Sequence, residues 1–203
     1  MRGRGYSRVQ DLIDNKFRRE PWYGEVLSYL LQRYSSIEGR MIETFRYVAC
    51  HPNNRNTFSY EYASILRDAG SVFGSVMDRL VRETSSVSGQ LDIRKHREWL
   101  RSEVENIHSL AAEINYPLAE RVLLPFLTLK DENGRLEWWN AYNELKHSDI
   151  DKFQVGNFEN ALNSVAALAI LVTLMGEVPT LFPNVGFFEP EEYLQSLLFF
   201  KLP

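Results

Sequence analysis

The 203-residue chain contains a single cysteine, Cys50, so a disulfide framework within it is excluded and a reduced, cytoplasmic setting is the simplest reading. No apolar run is long enough to span a bilayer. The longest, Val165 to Met175, is broken only by Thr173 and falls well short of the ~20 residues a span needs, so it reads as buried helix and no membrane partner is expected. The charged amino terminus has no apolar signal core. A glycine-rich phosphate loop is missing, because Gly70-Ser71-Val72-Phe73-Gly74 lies inside a helical pattern and no Lys-Ser/Thr follows it. The four histidines (His51, His96, His108, His147) lack metal-ligand spacing, so neither a metal nor another cofactor is expected. Positive charge is not in excess. A net charge of −4 argues against a whole-surface attraction to nucleic acid, though it leaves room for a local basic patch.

What remains is ordinary globular composition, 44% hydrophobic and 25% charged, enough to bury a sizeable core. No repeat, low-complexity tract or domain boundary interrupts it, so residues 1–203 read as one domain. Residues 1–20 hold six bases against three acids, which makes 1–21 a basic amino-terminal segment while the remainder carries −7. Aromatic interleaving is thin there, so the segment reads as a solvated helix rather than a phosphate-binding arm. At the other end, 178–203 form an aromatic tail containing Phe187, Phe188, Tyr193, Phe199 and Phe200, which has to pack on the bundle or on a second subunit.

Hydrophobic spacing predicts helices throughout. A short amphipathic segment covers 8–19 and ends near Pro21. A long helix follows over about 24–50, its stripe running Leu27, Leu30, Leu31, Tyr34, Ile37, Met41, Phe45, Val48. Cys50 sits at the end of that stripe and reads as a small core residue. Residues 51–56 form a loop by composition. Ser59 is a fitting N-cap for the next helix, where Gly70 and Gly74, four apart, allow a neighbouring helix close approach. A fourth helix is expected from Asp92 to Ile114, its opening turns basic through Arg94, Lys95, Arg97 and Arg101. Residues 115–134 are irregular, with a short extended piece at 122–124. Further helices cover 138–147, 157–175 and, in the tail, 191–199. The predicted fold is all-α, a bundle of five to six antiparallel helices with little or no β structure.

Residues 138–149 carry the chemistry. Trp138, Ala141, Tyr142 and Leu145 recur at helical spacing and form a stripe for burial. Asn140, Asn143 and His147 fall together on another face, with Lys146 at its edge. Trp139 is the indole expected to be partly exposed and able to stack a base. Arg94, Lys95 and Arg97 could bind phosphate, although a charge run at a helix start is more often solvated.

Phe58-Ser59-Tyr60-Glu61 opening a long helix, Pro125-Phe126, the Trp138–His147 run and the Asn160–Leu168 helix together resemble the HEPN superfamily (higher eukaryotes and prokaryotes nucleotide-binding) over about residues 25–176. The resemblance implies an up-and-down bundle of four to five helices that often dimerises. Many such proteins are metal-independent ribonucleases of toxin–antitoxin and phage-defence systems. Their motif places an arginine, then four to six residues, then histidine. In this chain the histidine half is present at His147. The positions where the arginine would stand hold Asn140, Ala141 and Tyr142, and the nearest upstream arginine is Arg135.

Three functions follow as expectations. The first is a homodimeric bundle that binds RNA or a protein partner with weak or no catalysis. The second is an active ribonuclease in which a 2′-hydroxyl attacks the adjacent phosphate, His147 acts as general acid or base, Lys146 stabilises phosphate charge and Asn143 orients the strand. The third is a purely structural dimerisation module, which requires Asn143 and His147 to be buried with their hydrogen bonds satisfied.

Overall fold

The computed structural model describes residues 11, 13–85, 89, 91–116, 119–147, 152–176, 182 and 184–187. Five long helices dominate. Helix α1 is Pro21–Thr44, α2 is Tyr60–Thr84, α3 is Ile93–Glu103, α4 is Glu137–His147 and α5 is Phe158–Leu174. The expected helix at 191–199 and most of the tail lie outside the described residues, as do residues 1–10.

Helix α1 begins at Pro21, earlier than the spacing predicts, because the proline ring at N1 has its φ preset for the first turn and gives up an N–H that has no helical acceptor. The helix also stops earlier, at Thr44. The apolar spacing misled at this end: Phe45 continues inward after the backbone has left the helix, its ring meeting Tyr116 at 4.8 Å and Phe158 at 6.2 Å. Ser59 caps α2 as expected, its hydroxyl accepting from the N–H of Tyr62 at 3.1 Å. Asn157 caps α5 in the same way through Asn160 N–H at 2.9 Å.

Between α3 and α4 the structure departs from the all-α expectation. Helix α3 ends at Glu103, eleven residues before Ile114; Val104 is extended and Asn106 takes a left-handed φ of 53°. Strands β1 (Leu110–Tyr116), β2 (Ala119–Leu123) and β3 (Asn184–Phe187) then form a three-stranded antiparallel sheet in the order β2-β1-β3. Ala112 pairs with Leu123 on one side and Val185 on the other. The spacing was ambiguous: Ile107, Ala111 and Ile114 fit a helix, whereas the buried–exposed alternation of Ala112, Glu113, Ile114 and Asn115 is that of a strand. The extended piece foreseen at 122–124 overlaps the end of β2 at Val122 and Leu123.

Helix α2 is the centre of the assembly and packs on α1, α3, α4 and α5. Helix α5 is buried nearly all round, from Phe158 to Leu174. One contiguous apolar core joins residues of all five helices and of the sheet. Each fully buried Leu or Phe in it contributes about 1.5–3 kcal/mol relative to exposure. Among the described residues no helix is long and apolar enough to cross a membrane.

Candidate functional site

Helix α4 has two unlike faces. Trp138, Ala141, Tyr142 and Leu145 are buried, which is the inner stripe the spacing predicts. The Trp138 indole N–H donates to the carbonyl of Pro125 at 3.0 Å, fixing the helix against the segment that follows β2. The ring of Tyr142 occupies the space left by Gly70, where a Cβ would lie 2.4 Å from Tyr142 Cγ. The paired glycines of α2 are thus the seat of α4.

Trp139 is a correction. It is 7% exposed and offers no stacking face to solvent. Gly74 is the reason: the missing side chain leaves room for the indole, whose Cη2 lies 3.2 Å from where a Cβ would be. The ring then packs against Phe73 at 5.6 Å, Tyr142 at 5.0 Å and His96 at 6.1 Å.

The outer face holds the polar candidates. Asn140, Lys146 and His147 are exposed and Asn143 is partly buried. Their spacing of three and four residues puts Asn140, Asn143 and His147 side by side. Among the described residues none of these three side chains has a hydrogen-bond partner. Lys146 Nζ stands 6.0 Å over the Tyr142 ring, and Glu144, the one carboxylate nearby on the helix, pairs with Lys152 at 3.6 Å. Positive charge at Lys146 suits the negative end of the helix dipole.

Arg94, Lys95 and Arg97 lie on α3, apart from this face. Arg94 pairs with Asp92 at 3.0 Å and Lys95 with Glu98 at 2.9 Å, so both are largely neutralised. Arg97 donates through Nη1 to the carbonyl of Gly134. Lys95 does not join Arg94 and Arg97 in the cleft of about 500 Å³ that those two line; Arg101 does. The sequence signal for Arg101 was its seven-residue distance from Arg94, two helical turns along one face. His96, inside the same basic run, is buried at 3% exposure and bonds Asp78 through Nε2 at 2.6 Å. Burial holds its pKa below the ordinary imidazole value, with Asp78 and Asp92 pulling it the other way.

Two further features were not foreseen. An apolar cleft of about 450 Å³ between the end of α1 and the start of α2 is bordered by Tyr47 and Phe58, 81% and 53% exposed. On β2, Arg121 is buried and grips both carboxylate oxygens of Glu159 at 2.9 and 2.8 Å. Cys50 senses both charges, but burial dominates and pushes its thiol up to about 11, which fits a core residue and not a nucleophile. Among the described residues no three His, Cys, Asp or Glu side chains converge as a metal site.

Comparison of the chain with protein-family models, curated proteins and solved structures returns no match.

Proposed function

We propose that this protein is a HEPN-like helical bundle that binds single-stranded RNA on the outer face of α4, with weak or no catalysis. The observation that carries the reading is the free state of Asn140, Asn143 and His147. They stand side by side on a helix whose inner face is locked by Trp138, Trp139 and Tyr142, and among the described residues their side chains make no hydrogen bond to the protein. An amide offers both donor and acceptor, and an imidazole and an ammonium add donors or charge; that set suits base edges and phosphate oxygens. The sequence resemblance, carried in part by the same Trp138–His147 run, points to this face.

Weak or absent catalysis follows from what occupies the place of the arginine. Asn140 is neutral, Ala141 is apolar, and the Tyr142 ring is committed to Gly70. A strand bound here meets Lys146 but no guanidinium from this stretch of helix to stabilise charge building on a phosphate. The homodimer implied by the resemblance belongs to the same reading, and light scattering at micromolar concentration should return twice the 23.7 kDa chain mass.

The test is incubation of purified protein with single-stranded RNA in EDTA, read both by gel shift and by product formation, beside His147→Ala. The reading predicts a shifted band, little cleavage, and a weaker shift for the variant. Rapid cleavage that His147→Ala abolishes would favour the ribonuclease. Absence of any shift, with a protein ligand recovered at the same face, would favour a protein partner.

A further inference from the structure

Arg94, Arg97 and Arg101 are three and four residues apart on α3, so they share one face. All three line one open cleft of about 500 Å³ that Glu132 and Asn133 also border. That volume lies within the roughly 300–1,000 Å³ typical of small-ligand sites.

The charges in this cleft do not balance. Arg94 is matched by Asp92, and Glu98 is matched by Lys95. Arg97 and Arg101 donate instead to neutral carbonyls: Arg97 to Gly134, and Arg101 to Leu129 at 3.0 Å and to Asp131. Such acceptors fix the guanidinium planes and cancel none of their charge. Glu132 is the one lining carboxylate left to face two positive groups.

The geometry of Arg97 is more specific. Its Nη1 is taken by Gly134, while Nε is buried without a partner among the described residues. Nη2 makes no bond among the described residues. Nε and Nη2 form one edge of the guanidinium, the pair of parallel donors that matches two oxygens of a single phosphate. Buried donors without acceptors are rare in folded proteins, and this one belongs to a guanidinium whose residue lines the cleft.

We infer that this cleft binds a phosphate group, gripped by Arg97 and Arg101 with the exposed Arg94 at its rim. The inference rests on the RNA-binding reading for the source of the phosphate, a phosphodiester of the bound strand. Lys95, drawn off by Glu98, takes no part.

The test is a titration of the ¹⁵N-labelled full chain, following the arginine Nε–Hε signals, which Arg97→Lys and Arg101→Lys assign. Inorganic phosphate, an oligouridylate and chloride at matched ionic strength are the three probes. The inference predicts that phosphate and RNA move the Arg97 and Arg101 signals, that RNA does so at least about tenfold more tightly, and that chloride does not. If phosphate moves them and RNA does not bind, the cleft stands and the RNA reading falls. If RNA perturbs residues 140–147 while Arg97 and Arg101 stay fixed under both ligands, the cleft is overturned and the RNA reading stands. If neither ligand moves any signal, both are overturned. The wild-type titration decides even if a variant fails to fold.

Discussion

A methyl group on Gly70 would lie 2.4 Å from Cγ of Tyr142. Glycine and ring therefore form one contact, and that contact holds the candidate helix on the core. Nothing flexible can yield there, since the near atoms belong to the root of the ring. The outer face of α4 is displayed as it is because its inner face cannot shift.

Replacing Gly70 with alanine tests this. Helix propensity alone favours alanine by about 0.5–1 kcal/mol. Overpacking opposes it by about 1–3 kcal/mol. The contact predicts a net loss in urea unfolding. Gly39→Ala is the control, because a Cβ at Gly39 of α1 meets nothing within 4 Å and should stabilise the protein. A gain in both variants would mean that α4 is free to move.

The Arg121–Glu159 pair makes a second prediction. Breaking a fully buried pair costs about 3–5 kcal/mol, and Glu159 retains 29% exposure, so Arg121→Met should cost less, about 2 kcal/mol. Adding Glu159→Gln should recover much of that loss, because no carboxylate is then left without its cation. Equal stability of wild type and Arg121→Met in urea would show that the pair contributes nothing.

His96 gives stability a pH dependence of known sign. Burial lowers its pKa in the folded protein, so the unfolded chain takes up a proton first as pH falls. The stabilisation is complete above the ordinary imidazole pKa of about 6.5 and is lost progressively below it. His96→Gln keeps a donor for Asp78 and cannot titrate. The wild-type urea midpoint should fall more than that of the variant between about pH 7.5 and about pH 5.5. Parallel falls would contradict the assignment.

The helices were largely legible because their signals are local. Ser59 announced its cap, and the Trp138–Leu145 stripe is buried as its spacing required. The sheet was only partly legible: the end of β2 was foreseen, but the apolar spacing of 107–114 also fits a helix and hid β1, and the pairing of β1 with 184–187 spans a separation that leaves no local trace. The fate of Trp139 also depended on a distant residue: adjacent indoles invite the view that one faces out, and only Gly74, 65 positions earlier, makes room for both inside. Likewise the basic run at 94–97 hid a division that partners alone reveal, with Lys95 lost to Glu98, His96 buried on Asp78, and Arg97 lining one cleft with Arg101. The polar face of α4 was readable because helical geometry fixes which residues are neighbours.

Fluorescence anisotropy of a labelled single-stranded RNA in EDTA, comparing wild type with Asn143→Ala/His147→Ala, tests the central claim most directly. Both substitutions lie on the outer face, so the melting temperature should hold while affinity falls at least about tenfold, roughly 1.4 kcal/mol. Equal affinity of the two proteins, or no binding by the wild type at low salt, would contradict it.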